Sequence, residues 1–191
     1  MMSISNDVSV EDRVIDAAAD CVVAFGVDRV TLAEIARRAG VSRPTVYRRW
    51  PDTRSILASL LTHRITHALN DIAVTGSDRQ AVVRRMVAMA GKLRDDAVIM
   101  SVLSTGPDLA MVYIAQRMGT SQQILLEAVA DALTAAQRDG SVRAGNPRQL
   151  AAMCVLIVQS AIQSAQMVAP VLEVAALDTE LARALNGYLC P

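Results

Sequence analysis

The sequence predicts an all-α protein. Apolar residues recur at helical spacing along nearly the whole chain, and no stretch shows the two-residue alternation, bounded by hairpin turns, that is typical of strands. Hydrophobic residues make up 52% of the chain and aromatic residues only 3%, so any core consists mainly of Ala, Val, Leu, Ile and Met. The 191 residues suffice for one domain, or for a small module joined to a larger body.

The first two helices have local start and stop signals. Ser9 is a suitable N-cap for a helix that stops at Gly26. Thr31 opens the second helix, and Glu34, three residues later, is placed to complete a capping box. Gly40 ends this helix because glycine adopts the left-handed conformation without strain.

The third and fourth helices follow closely. Ser42 can cap a short helix in which Pro44 costs little, because the first turn needs no N–H from that position. Asp52 caps the fourth helix, and "TGSD" at 75–78 is the predicted module boundary. The apolar stripe of the fourth helix comprises Ile56, Leu57, Leu60, Leu61, Ile65, Ala68, Leu69 and Ile72.

Further helices are predicted at 79–94, 96–103, 108–138, 147–168 and 178–189. Asn146 followed by Pro147 marks a helix start, since Pro suits the first helical position. A bend is expected near Gly119 in the long helix.

The chain lacks the signals of an exported or membrane protein. Its three cysteines, Cys21, Cys154 and Cys190, are far apart and have no CxxC spacing. The longest apolar run, "LAAMCVLIV" at 150–158, is too short to cross a bilayer. We therefore expect a soluble cytoplasmic protein without cofactor or membrane segment.

The net charge of zero hides a strong local asymmetry. Residues 29–64 contain eight Arg and two acidic residues, whereas residues 1–28 contain one Arg and six acidic residues. Such a local surplus of positive charge favours contact with a phosphate backbone.

The second helix, the turn at Gly40 and the third helix have the lengths of a helix-turn-helix. The alternative is a plain helical hairpin with a solvated basic face. The third helix has few apolar residues, Val46 and then Trp50, so most of its surface is free to meet another molecule. That surface carries side chains that bind phosphates and base edges, namely Arg43, Thr45, Tyr47, Arg48 and Arg49.

The stretch "TLAEIARRAGVSRPTVYRRWPDTRSIL", residues 31–57, resembles the DNA-binding segment of the TetR family of bacterial transcriptional regulators. The resemblance implies that Arg43, Pro44 and Thr45 enter the major groove. It also implies that Tyr47 and Arg48 bind phosphates or base edges. The whole candidate DNA-binding set is Thr31, Ser42, Arg43, Pro44, Thr45, Tyr47, Arg48, Arg49, Thr53 and Arg54.

The same resemblance implies that Trp50 wedges the third helix against the fourth. One position departs from the family pattern, because Thr53 stands where the family usually has a phosphate-binding Lys. The neighbouring Arg54 is the candidate substitute.

Elementary chemistry supports several of these roles. Thr31 and Ser42 mark helix N-termini, where free N–H groups and a partial positive charge favour phosphate. Arg43 can form two hydrogen bonds with a guanine, and Pro44 can pack against a thymine methyl group or a sugar. For Tyr47, a half-buried core ring is the alternative to a DNA contact.

A recognition unit this short reads few base pairs, so we expect a homodimer that binds two half-sites of an inverted-repeat operator. The helix at 147–168 is apolar on nearly every face, which favours one face on its own core and one on a partner. A dense monomer core is the alternative. The candidate interface residues are Cys154, Ile157, Ala161, Ser164, Ala165, Leu181, Leu185 and Tyr188.

In the family, the helices between the DNA-binding module and the dimer contact usually surround a small-molecule cavity. Because Met fills irregular apolar space, we expect a neutral or acidic hydrophobic effector, oriented by a few polar groups. Ordinary core packing is the alternative for the same methionines. The candidate residues are Met86, Met89, Met100, Met111, Tyr113, Met118, Gln159 and Gln163.

His63 and His67 have an i, i+4 spacing that can hold a metal, but no Cys or HExxH glutamate accompanies them, so no metal site is expected. The chain contains no GxSxG, P-loop or GxGxxG motif, so we do not expect an enzyme.

The predicted organisation is a DNA-binding domain at 1–55 and an effector-binding and dimerisation domain at 56–191. The predicted function is a ligand-responsive regulator, chiefly a repressor, that leaves its operator when the effector binds. The rival interpretations are a regulator without an effector and a protein-interaction module that reuses the fold.

Overall fold

The computed structural model describes residues 9–73, 75–105 and 119–191, and all regular elements in these ranges are helical. The predicted all-α class is therefore confirmed. The elements are α1 Val10–Phe25, a 3-10 turn at Val27–Arg29, α2 Leu32–Ala39, α3 Arg43–Arg49, α4 Thr53–Asn70, α5 Arg79–Asp95, α6 Ala97–Thr105, α7 Thr120–Arg138, α8 Pro147–Gln163, α9 Ala165–Val168 and α10 Val174–Leu189.

The chain forms two compact units. The first contains the described residues within 1–63 and 97–117, and the second contains those within 64–96 and 118–191. Helix α4 passes from one unit into the other. The predicted division at residue 55 separates residues by their expected functions, whereas the two compact units are defined by packing. The domain division therefore stays a prediction.

In the first unit, α1, α2 and α3 pack around a small apolar core. Its fully buried side chains include Val14, Ala18, Cys21, Val22, Ile35, Ala36, Val46, Ile56 and Leu60. Helix α6 joins this unit on α1, where the Ser101 hydroxyl donates a hydrogen bond of 3.2 Å to the Val22 carbonyl. The core residues come from all of the first four helices, so packing fixes their mutual orientation.

In the second unit, α5 packs against α7, α8 and α10, and α7 also packs along α8. Its fully buried side chains include Ala90, Leu133, Ala136, Ala151, Cys154, Leu185 and Leu189. Arg94 of α5 is ion-paired with Asp178 of α10, and only 7% of the Arg94 side chain is exposed. Burial raises the pKa of the Cys154 thiol to about 11, so this cysteine stays protonated at neutral pH.

Most predicted helix starts are confirmed. The Ser9 hydroxyl accepts the Asp12 N–H at 3.0 Å, and the Asp52 carboxylate accepts the Ser55 N–H at 2.7 Å. The Asn146 side chain accepts the N–H groups of Arg148 and Gln149, as expected for the cap before Pro147. These signals are local, so the sequence reveals them.

The capping box predicted at Thr31 forms only in part. The Thr31 hydroxyl accepts the Glu34 N–H at 3.2 Å. The Glu34 carboxylate does not complete the box, because it accepts hydrogen bonds from Arg37 and Arg38. Two guanidinium groups outcompete one backbone N–H for the carboxylate.

Three predicted boundaries are wrong. The helix expected at 147–168 is interrupted at Ser164, where φ is −96° and ψ is 1°, and serine is a weaker helix former than alanine or leucine. The last helix begins at Val174 rather than at 178, because "VAAL" extends the helical run. The helix expected at 108–138 begins at Thr120, since Gly119 is extended; residues 108–118 lie outside the described residues.

In the described ranges, no helix combines the length and apolarity needed to cross a membrane. The same ranges hold no group of three or more His, Cys, Asp or Glu side chains arranged to bind a metal. His67 instead lies beside Asp71, with 3.2 Å between its Nδ1 and a carboxylate oxygen.

Candidate nucleic-acid interface

The turn between α2 and α3 sets the direction of α3. Gly40 lies in the left-handed region at φ 64° and ψ 33°, and the Val41 N–H donates to the Ala36 carbonyl at 3.1 Å. Ser42 then caps α3, with its hydroxyl accepting the Thr45 N–H at 3.3 Å. This is the helix-turn-helix geometry that the sequence predicts.

One side of α3 is anchored and the other is free. Val46 is fully buried, while Arg43, Pro44 and Arg48 are exposed. Tyr47 is 49% exposed, so it is not a core ring. Because residues four apart share a face, Arg43 lies beside Tyr47 and Pro44 beside Arg48.

Trp50 fixes the end of α3. Its side chain is buried, and the indole Nε1 donates a hydrogen bond of 3.0 Å to the Ser59 hydroxyl on α4. The expected wedge between the third and fourth helices is therefore confirmed. A buried indole with a satisfied N–H holds the helix end rigidly.

Half of the eight arginines in residues 29–64 are bound within the chain. Arg37 and Arg38 hold Glu34, Arg49 is paired with Glu11, and Arg64 lies 3.0 Å from the carboxylate of Asp96. Hydrogen bonds from Arg37 and then Arg38 lower the pKa of Glu34 to about 2, so this carboxylate stays ionised at neutral pH.

The other four arginines are exposed, and within the described part of the chain they form no ion pair: Arg29, Arg43, Arg48 and Arg54. Arg43 and Arg48 lie on the free side of α3. Arg54 lies in the first turn of α4 beside the half-buried Thr53. Exposed guanidinium groups without an internal acid are available to phosphates and base edges.

The remaining predicted DNA contacts are the helix starts. Thr31 and Ser42 are exposed, and Thr45 is half-buried with its hydroxyl 2.7 Å from that of Ser42. No local pattern indicates the Glu11–Arg49 ion pair, because 38 positions separate these residues.

The candidate effector residues are only partly described. Met86 and Met89 of α5 are buried in the second unit, whereas Met100 is half-buried in the first. Gln159 accepts a hydrogen bond of 3.3 Å from Gln122, a residue that no sequence pattern singles out. Met111, Tyr113 and Met118 lie outside the described residues, and Gln163 is half-buried at the end of α8.

The candidate dimer residues divide into two groups. Cys154, Leu181 and Leu185 are buried within the single chain, so they belong to its own core. The remaining candidates are half-buried: Ile157, Ala161, Ser164, Ala165 and Tyr188. The Tyr188 ring is covered by Arg143, whose Cζ lies 4.7 Å from the ring centre.

Other apolar side chains on the same segments are exposed. Met153 is 43% exposed and Leu156 58% exposed, and these residues lie three apart on one face of α8. Met167, Val171 and Val174 follow and are exposed as well. The sequence could not single them out, because α8 is apolar on nearly every face.

A basic helix held on a helix-turn-helix and presented to solvent defines a DNA-binding transcriptional regulator. The profile of "Bacterial regulatory proteins, tetR family" matches residues 14–60. An uncharacterized HTH-type transcriptional regulator of Mycobacterium tuberculosis strain H37Rv is 60% identical over 191 residues, covering 100% of both chains. The chain therefore belongs to the TetR family of bacterial transcriptional regulators.

Solved structures share the fold. The regulator FadR of Bacillus subtilis, in complex with stearoyl-CoA, has a TM-score of 0.59 and 18% identity, covering 93% of this chain and 98% of its own. RolR, in complex with resorcinol, has a TM-score of 0.65 and 16% identity, covering 94% of this chain and 87% of its own. At these identities the likeness concerns the fold alone.

Proposed function

We propose that this regulator binds an inverted-repeat operator as a homodimer, acts as a repressor in the cytoplasm, and is released by a small hydrophobic effector. The observation that carries the DNA-binding part is the free side of α3. Arg43 and Arg48 are exposed there and have no acidic partner among the described residues, while Val46 and Trp50 hold the helix from behind.

The roles of the residues on α3 follow from their chemistry. Arg43, in the first turn, forms two hydrogen bonds with a guanine and sets sequence preference. Pro44 packs against a thymine methyl group, while Thr45, Tyr47 and Arg48 bind phosphates or base edges.

Phosphate contacts outside α3 complete this interface. Thr31 and Ser42 place phosphates at the helix starts, where backbone N–H groups point outwards. Arg54 takes the place of the lysine that is absent at Thr53.

The dimer contact involves α8 and α10. Met153 and Leu156 form an apolar pair on the exposed side of α8, and covering the part of each side chain that is still exposed contributes about 1 kcal/mol. The half-buried Ile157, Ala161, Ser164, Ala165 and Tyr188 are included in the proposed interface. Cys154, Leu181 and Leu185 support the interface from the core of each subunit.

The effector site is proposed in the second unit, around Met86, Met89 and the Gln122–Gln159 pair. FadR and RolR bind chemically different molecules, so the class of effector is inferred from this chain's own residues. The chain has three Tyr, one Trp and one Phe, too few aromatic residues for a cage around a cation. A neutral or acidic hydrophobic molecule fits this composition.

Release requires that the effector bind better to the form that does not bind the operator. We propose α4 as the link, because it runs through both units. A shift at its C-terminal end then changes the distance between the two recognition helices. Loss of one half-site removes enough contacts for dissociation, and a few kcal/mol of coupling is sufficient.

The test begins with sequencing of the DNA fragments that the purified protein captures. The enriched duplex is then titrated by fluorescence anisotropy at several salt concentrations. We expect steep salt dependence, altered sequence preference for Arg43→Ala, and uniform weakening for Arg48→Ala. Arg183→Ala, which removes an exposed arginine of α10, is the matched control and should change neither the sequence preference nor the affinity for DNA.

The effector is tested by adding hydrophobic compounds to the protein–operator complex. Release by a neutral or acidic compound is the expected result. Unchanged operator affinity across the library would favour a regulator without an effector. Absence of any salt-dependent DNA binding would favour a protein-interaction module.

A further inference from the structure

The last turn of α3 carries two adjacent arginines in different surroundings. Arg48 is exposed and has no ion-pair partner among the described residues. Arg49 is paired with Glu11 of α1, and its Cζ also lies 5.6 Å from the centre of the Trp50 ring. The guanidinium group of Arg48 is therefore available to DNA, whereas that of Arg49 already has a partner.

Glu11 is itself held in place. It lies in the first turn of α1, which is fixed by the reciprocal hydrogen bonds of Ser9 and Asp12. The Asp12 carboxylate accepts the Ser9 N–H and hydroxyl, so Asp12 is occupied and Glu11 is the acid that meets Arg49. The other end of the pair is fixed by Trp50, which is buried and bonded to Ser59.

Carboxylates and phosphates compete for the same guanidinium donors. A phosphate that approaches Arg49 meets the negative charge of Glu11 at close range, where salt screens it little. We infer that Glu11 is a positioning residue that ties Arg49 to α1 and withholds it from DNA. This inference rests on the proposed function, because it assumes that α3 is the surface that meets the operator.

The consequence concerns the affinity for DNA of any sequence. A phosphate contact adds affinity for every DNA sequence alike, whereas base contacts discriminate between sequences. By removing one cation from the recognition helix, Glu11 lowers binding to operator and non-operator DNA by the same factor, and discrimination is left to the base contacts. The sequence groups Arg49 with the DNA contacts, but the geometry places it in a tie between α3 and α1.

The experiment compares four single variants on random-sequence duplex DNA and on the operator. They are Glu11→Gln, Arg49→Gln, Arg48→Gln and the control Asp16→Asn. Asp16 is exposed on α1 and forms no ion pair within the described ranges, so its substitution changes the charge of α1 equally without touching Arg49. Circular dichroism melting first establishes that each variant is folded.

We expect Glu11→Gln to steepen the salt slope by about one for each subunit bound, because Arg49 then binds a phosphate. Lowering the salt from about 200 to about 50 mM tightens binding to random DNA in both proteins. For one subunit, this gain in affinity should be about fourfold larger for Glu11→Gln than for the native protein. Arg49→Gln should leave the native affinity unchanged within about twofold. The double variant Glu11→Gln/Arg49→Gln should lose the gain, and Asp16→Asn should not reproduce it.

The inference is overturned if Arg49→Gln weakens DNA binding as much as Arg48→Gln does, or if Asp16→Asn matches Glu11→Gln. In either case the native protein and Arg48→Gln still test the proposed function by themselves. If the native protein binds no duplex at low salt, the proposed function fails, and the role of Glu11 in DNA binding fails with it.

Discussion

The recognition helix of the first unit and the interior of the second unit place arginine in opposite ways. In the first unit, Arg43 and Arg48 point to solvent from a small, fully apolar core. In the second unit, Arg94 is buried against Asp178, while Leu156 is exposed. The role of an arginine or a leucine therefore depends on whether its side chain is buried or exposed. Arg94 joins two helices, whereas the exposed Arg43 and Arg48 are proposed to bind DNA and the exposed Leu156 is proposed to meet a partner subunit.

The largest effect is expected at the anchor of the recognition helix. Trp50→Ala should lower the free energy of unfolding by about 4 kcal/mol, because it leaves a cavity and removes the hydrogen bond to Ser59. Urea denaturation measures this loss. Tyr47→Ala, on the exposed side of α3, should change stability by no more than about 0.5 kcal/mol while weakening DNA binding. Equal destabilisation by both would show that α3 has no free side.

Removal of the internal ion pair comes next. Asp178→Asn should destabilise the protein by about 3 kcal/mol, because Arg94 keeps its buried charge without a partner. The control is Glu180→Gln, which breaks an exposed pair with Arg183 on the same helix and should cost less than about 1 kcal/mol. If the two variants unfold at the same urea concentration, the Arg94–Asp178 pair stabilises the protein no more than the exposed pair does.

Replacing one glycine in each unit by alanine should change the stability by a smaller amount, and the two changes should have opposite signs. Gly40→Ala forces a Cβ into the left-handed conformation and should cost about 1 kcal/mol, although the space around it is open. Gly187→Ala in α10 also meets open space but in a helix, where alanine should stabilise by roughly 0.5–1 kcal/mol. If both substitutions shift the melting temperature in the same direction, the left-handed conformation of Gly40 is contradicted.

The pattern of confirmed and missed features has a physical reason. The starts of α1, α2, α3 and α4 were predictable, because Ser9, Thr31, Ser42 and Asp52 act on N–H groups within three residues. The break of the predicted helix at Ser164 was missed, since small differences in propensity decide it.

Ion pairs between distant residues could not be predicted. Glu11 and Arg49 are 38 positions apart, and Arg94 and Asp178 are 84 apart. The exposed side of α3 was predictable from Val46 and Trp50, because a seven-residue helix with so few apolar side chains has only one way to dock. In α8 the buried and exposed sides are both apolar, so the sequence could not separate Cys154 from Leu156.

The smallest effect concerns pH. The folded state lowers the pKa of Glu34 from 4.5 to about 2, chiefly through Arg37, so it favours the ionised carboxylate. The stabilisation is therefore present above about pH 4.5 and is lost as the pH falls towards 2. It should be small because the pair is exposed. Urea midpoints of the native protein and Glu34→Gln should differ at pH 6, and the difference should shrink below pH 4.5 and vanish only near pH 2, whereas a constant difference would contradict this role.

The free side of α3 as the DNA-binding surface is tested most directly by one titration. Binding of the native protein and of Arg48→Gln to an enriched inverted-repeat duplex is followed by fluorescence anisotropy as salt is raised. We expect steep salt dependence for the native protein and a slope shallower by about one per bound subunit for Arg48→Gln. Identical slopes and affinities for the two proteins would contradict this expectation.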